Sequence, residues 1–117
     1  MARKRTTNES AAVEIDPRFA RVATAFARNR WVSRGGGKGF GSGALKVNGK
    51  IFAMMDSKGR FVVKLPGARV DALVAAGQGA YFDPGHGRKM KEWVVIAATP
   101  AVWPTLAREA YAFARRE

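Results

Sequence analysis

Asn48-Gly49 stands between two short alternating segments, Ala44 to Val47 and Lys50 to Met55. Both residues of the pair tolerate positive φ, which a type I′ turn demands at its two central positions, so the pair predicts a two-residue β-hairpin. A hairpin this tight constrains much of what surrounds it. Its strands run antiparallel, and each residue's face follows from its distance to the turn. Asp56-Ser57-Lys58-Gly59 is a second turn cluster and Arg60 to Leu65 alternates again, which predicts a three-stranded antiparallel meander. Counting outward from the turns, Val47 faces Lys50, Leu45 faces Phe52, Met55 faces Arg60, Met54 faces Phe61 and Phe52 faces Val63. Leu45, Val47, Phe52, Met54, Phe61, Val63 and Leu65 then share a core face. The opposite face carries Lys46, Arg60 and Lys64 over an aliphatic floor of Ile51, Ala53, Met55 and Val62.

The flanks of the meander read as helices and further strands. Asp16-Pro17 is an N-cap with proline at the first helical position, followed by Phe19, Val22, Ala23 and Phe26 at helical spacing. Arg18, Arg21 and Arg28 fall on another face of that helix. Pro66-Gly67 ends the meander, and Val70, Leu73 and Val74 mark a short helix with Gly77 just past its end. Ala80 to Phe82 is a candidate strand. Glu92 to Ala97 is a strand apolar on both faces, which belongs inside a sheet. Trp103, Leu106, Ala110, Phe113 and Ala114 define a closing helix, with Pro104 in its first turn. The order is helix, three-stranded antiparallel meander, helix, one or two further strands, C-terminal helix, an α+β domain with helices packed on one face of the sheet. Residues 1–14 are polar and aperiodic and read as a flexible basic arm ahead of a single domain over 15–117.

Composition narrows the chemistry. The 117 residues contain no cysteine, so disulfides, thiolate catalysis and Cys-ligated metals are out. Met1-Ala2-Arg3-Lys4-Arg5 is followed by polar residues rather than an apolar run, and Trp93 to Ala98 is too short to span a bilayer, so a cytoplasmic protein is expected. The glycine run from Gly35 to Gly43 fits neither GxGxxG nor GxxxxGK[ST] and leads into a strand, so it reads as a connector rather than a nucleotide cradle. His86 is the one histidine, in a glycine-flanked loop. Without cysteine it cannot build a zinc site, and it reads first as a loop residue, with an enzyme using His86 on an anionic substrate as the remote alternative. No enzyme, metal or cofactor is expected.

The stretch from Phe40 to Arg116 resembles the TfoX N-terminal-domain-like family, within the wider MmcQ/YjbR-like group. The pieces that carry the resemblance are Gly39-Phe40-Gly41, Val47 to Ala53, Val63-Lys64-Leu65, Gly87-Arg88 with Met90 to Trp93, and Ala110 to Ala114. Lys89 stands where the family often has proline, and the resemblance extends only to the N-terminal domain of the full-length competence regulators, without their additional C-terminal domain. The resemblance implies a small α+β fold linked to regulation or, in YjbR-like members, to DNA binding through β-hairpin wings. It implies no catalytic set.

The formal net charge is +12, from 21 Lys plus Arg against 9 Asp plus Glu. Such an excess points first to nucleic acid. The candidate phosphate-binding residues are Lys46, Arg60 and Lys64 on the sheet with Lys38, Lys50, Arg88, Lys89 and Lys91 on adjoining loops. They predict contact with DNA without sequence reading, since neither a recognition helix nor a stacking pair is visible on that face. The alternative is a protein partner or a homodimer meeting the patch of Ile51, Met55 and Val62.

Overall fold

The hairpin forms at Asn48-Gly49, whose φ angles of 55° and 76° are those a type I′ turn needs. It joins the second and third of six strands in a computed structural model that describes residues 16–34, 43–83 and 90–116. The strands are β1 (Val32–Arg34), β2 (Leu45–Val47), β3 (Lys50–Met55), β4 (Phe61–Lys64), β5 (Gly79–Phe82) and β6 (Met90–Ile96). The helices are α1 (Pro17–Ala25), α2 (Gly67–Ala75) and α3 (Trp103–Arg116), the last preceded by a 3-10 turn at Pro100–Val102. All neighbouring strands are antiparallel, in the order β1-β2-β3-β4-β6-β5. The expected α+β architecture is present, and β6 lies inside the sheet as its two apolar faces require.

Local chemistry explains the helix ends. The Asp16 carboxylate accepts the Arg18 backbone N–H at 2.8 Å and Pro17 occupies the first turn of α1. At the end of α2 the Gly77 amide donates to the Val74 carbonyl and the Gln78 amide to that of Leu73, a Schellman closure that turns the chain into β5. Pro104 sits in the first turn of α3, where its missing N–H costs nothing.

All three helices pack on one face. Phe19 and Val22 of α1, Val70 and Leu73 of α2, and Trp103, Leu106, Ala107, Ala110 and Ala114 of α3 form one buried cluster with Leu45, Val47, Phe52, Ala53, Phe61, Val63, Val94 and Ile96 of the sheet. Two aromatic triplets hold α1 and α3 to it. Phe61 stacks on Trp103 at 4.4 Å and lies 6.1 Å from Phe19. Phe26 meets Phe52 edge-on at 5.4 Å, and Tyr111 lies 5.6 Å from Phe26 and 5.7 Å from Phe52. In each helix segment the two anchoring rings are roughly two turns apart, about 11 Å of rise, and in the same chain order. So α1 and α3 run the same way, and their C-terminal ends meet.

The meander register differs from the expected one, and a bulge is the reason. Lys46 pairs with Ile51 but Leu45 with Ala53, leaving Phe52 as an extra residue on β3. Phe52 and Ala53 therefore both join the helix-side core, and the alternation beyond them is inverted. Met55 pairs with Phe61, Met54 with Val62 and Ala53 with Val63, in place of the expected Met55–Arg60, Met54–Phe61 and Phe52–Val63 pairs. Met54 is thus on the face turned away from the helices, in a second cluster with Ala44, Val62 and Phe82 flanked by Ile51, Trp93 and Val95. Ala53 and Met55 are on the helix side. Sequence reading also missed β1, a polar edge strand paired through Val32–Val47, Ser33–Lys46 and Arg34–Leu45. Residues 1–15, with the proposed arm, the glycine run over 35–42 and the loop over 84–89 lie outside the described residues.

The seat of α2 on the β5 edge allows one test. A Cβ on Gly79 would stand 2.7 Å from Val94 Cγ2, 3.2 Å from the Val95 carbonyl oxygen and 3.5 Å from Leu73 Cβ. Gly79→Ala is expected to destabilise by about 1–3 kcal/mol, the usual cost of overpacking. Urea unfolding measures it, and an unchanged or raised midpoint would mean that Val94 and the Val95 carbonyl leave room for a side chain at this edge.

Candidate nucleic-acid interface

Of the eight cations expected to bind phosphate, five are among the described residues. Lys38, Arg88 and Lys89 lie outside the described residues, as do Phe40 and His86. Lys46 and Lys64 are half-buried on the face away from the helices, on strands either side of β3 and so about 10 Å apart. Lys50 is exposed at the hairpin tip and Lys91 at the start of β6. Arg60 is already occupied. Its guanidinium donates to Asp56 Oδ2 from Nε at 2.7 Å and pairs with it through a terminal nitrogen at 2.6 Å. The protein-contact patch does not assemble. Val62 is fully buried, Ile51 half-buried, and Met55 is on the opposite face because of the Phe52 bulge.

The cations that sequence reading passed over cluster instead where α1 and α3 end. Asn29 builds the turn after α1: its carbonyl accepts the Val32 N–H at 3.1 Å and its side-chain Oδ1 accepts the Trp31 N–H at 2.9 Å. Arg30 and Trp31 occupy the middle of that turn and point outward. Trp31 is 53% exposed, the most exposed large apolar side chain among the described residues. The Arg30 guanidinium lies over its ring at 4.7 Å, and that of Arg115 is 6.0 Å from Trp31 and 6.0 Å from Tyr111. Ala25, Arg28, Asn29, Arg30, Trp31, Tyr111 and Arg115 line an open groove of about 630 Å³.

Three arginines away from the groove find acids, Arg60 among them. Arg18 holds Asp16 through two side-chain bonds at 2.9 and 2.5 Å and lies 5.1 Å from the Trp103 ring; Arg69 of α2 pairs with Glu109 of α3 at 2.9 Å. Among the described residues no carboxylate pairs with Arg28, Arg30 or Arg115. Their charge is only partly spent on the helix ends beside them. Each C-terminus carries at most about half a negative charge, so three arginines leave about +2 at the groove. The available signal was Arg28-Asn29-Arg30-Trp31, an Asx-turn residue between cations just past a helix. No three His, Cys, Asp or Glu side chains among the described residues gather to hold a metal ion. No helix among them is long and apolar enough to cross a membrane.

The occupied state of Arg60 has a pH signature. Burial pushes the Asp56 carboxyl up, but hydrogen bonds from the Arg60 amide and side chain and from the Lys58 amide outweigh it and hold the group below the ordinary carboxylate range. That stabilisation is present above the unfolded value of about 3.9 and is lost as pH falls through the lower folded value. Asp56→Asn keeps an oxygen for the two amides and removes the charge. It is expected to be about 1–2 kcal/mol less stable at neutral pH and to lose less stability than the wild type on acidification below about pH 4, read by unfolding at stepped pH. Equal acid sensitivity would mean the Asp56–Arg60 bonds contribute nothing.

Comparison with models of protein families, with curated proteins and with solved structures finds no match to this chain.

Proposed function

We propose that this chain is a small cytoplasmic, non-enzymatic module that binds nucleic acid by its phosphates, without selecting sequence. The observation that carries the reading is that Arg28, Arg30 and Arg115 line one groove together with no acid partner there among the described residues. A net charge of +12 favours an anionic partner, and guanidinium groups converging on one groove match the spaced charges of a phosphate backbone. Lys46 and Lys64, on the other face of the sheet, extend the electrostatic field more than the contact surface. The resemblance to the TfoX N-terminal-domain-like family, with its regulatory and DNA-binding members, belongs to the same proposal and rests on the order of the matching segments. Self-association through Ile51, Met55 and Val62 has less support, since the three side chains do not share a face.

Salt dependence tests the proposal. If Arg28, Arg30 and Arg115 each neutralise one phosphate, changing all three to Gln should lower the magnitude of the log affinity against log salt slope by about 2 on single strands and about 3 on duplex. Arg69→Gln removes one positive charge that Glu109 already engages and should leave the slope unchanged. Fluorescence anisotropy with labelled single-stranded DNA, RNA and duplex DNA gives both slopes. A salt-independent affinity, or equal slopes for the triple variant and the wild type, would refute phosphate binding at this groove.

A further inference from the structure

The groove holds more than charge. Building on the phosphate-binding reading, we infer that Trp31 and Tyr111 form a stacking site for an unpaired base, so that the partner is single-stranded nucleic acid.

Most other aromatic side chains that the structure describes are committed to the fold. Phe19, Phe26, Phe52, Phe61, Phe82 and Trp103 are buried, Trp93 and Tyr81 are half-buried within the sheet, and Phe113 is half-buried on α3. Trp31 stands outside both core clusters. A large ring kept in water at the mouth of a groove is costly to the free protein unless something covers it. Phosphate contact alone gives no reason for an indole there, because phosphate binds to cations and amides. Stacking gives that reason, since every base has a π-face that an aromatic ring can meet.

The surroundings fit the same occupant. Tyr111 is pinned from behind by Phe26 and Phe52, so the inner wall does not have to be ordered on binding. The backbone of Trp31 is held by the Asn29 side-chain oxygen, and Asn29, itself among the groove residues, keeps its amide nitrogen as a donor. One face of the indole is covered by Arg30 in the free protein. A guanidinium over an exposed ring is worth about 2- to 5-fold in an equilibrium, and a stacked base about 5- to 150-fold, so a base displaces the guanidinium and frees it for a phosphate. Arg115, between the two rings, reaches the phosphate on the other side. A base inside a duplex presents only its edge to a groove of this kind, so the site selects unstacked nucleotides.

The test separates stacking from phosphate grip. Three probes are used: an oligothymidylate of about 12 nucleotides, an abasic deoxyribose-phosphate oligomer of the same length, and a duplex of that length. The wild type is expected to prefer the oligothymidylate over the abasic oligomer by about 5- to 150-fold, with quenching of tryptophan emission. Trp31→Ala should abolish that preference while binding the abasic oligomer as before; Trp31→Phe should keep most of the preference and lose the quenching. Because Trp31 contributes to neither core cluster, both variants should fold, which thermal unfolding checks. Equal binding of the two oligomers by the wild type would overturn the stacking site and leave phosphate binding standing. Tighter binding of the duplex, untouched by Trp31→Ala, would do the same. Failure of all three probes at low salt would overturn both readings.

Discussion

The extra residue at Phe52 is the constraint on which the remainder of the structure turns. Without it, strict alternation from the Asn48-Gly49 turn puts Phe52 in the core and Ala53 outside. With it, both enter the helix-side core and the next residues exchange faces. Phe52 then meets Phe26 and Tyr111, the ring contact that holds the end of α1 and the last turns of α3 on β3. A local insertion in one strand thus decides where two helix ends come to rest. The groove exists because those ends are brought together there.

That convergence carries an electrostatic cost. Two roughly parallel helices placed side by side repel through their like ends, and cations in the last turns offset this. Arg115 and Arg116 close α3, and Arg28 and Arg30 follow α1. A stabilising role for some of this charge is therefore built into the fold. It does not account for the amount, since at most about one negative charge is available to three groove arginines. At the other end of the same helices Arg18 sits against Asp16 and the face of Trp103, so the fold compensates an arginine there and, among the described residues, leaves three uncompensated at the groove.

What could be read from sequence was what depends on a few adjacent residues. Asn48-Gly49, Asp16-Pro17, Gly77 and Pro104 act through their own backbone preferences, and each stands where those preferences place it. The faces of β3 could not be read so, because Phe52-Ala53 is compatible with either alternation or a bulge until Phe26 and Tyr111 arrive to cover the ring. The strand β1 escaped notice for a similar reason. Val32-Ser33-Arg34 has no apolar alternation of its own, and its strand form comes from the β2 edge it pairs with. The candidate site could not be read so either, because its two halves belong to separate helix ends while the cations of the sheet sit on the alternating segments of one meander. Arg115 is far in sequence from Arg28 and Arg30, and only the shared direction of α1 and α3 brings it to them.

A turn after a helix is an uncommon place to expect a firm binding surface, since connecting segments are usually the mobile part of a domain. Here the turn has its own restraints. Asn29 uses both its carbonyl and its side chain to close the backbone around Arg30 and Trp31, and Phe26, three residues before it, is buried in the aromatic triplet. On the facing wall Tyr111 is fixed by the same triplet. The two halves of the groove are therefore tied to one core cluster, three residues away from Trp31's neighbour Asn29 on one side and directly on the other. A ligand that enters between them meets rings and guanidinium groups whose backbones are already in place, and little of its binding free energy is lost to ordering the protein.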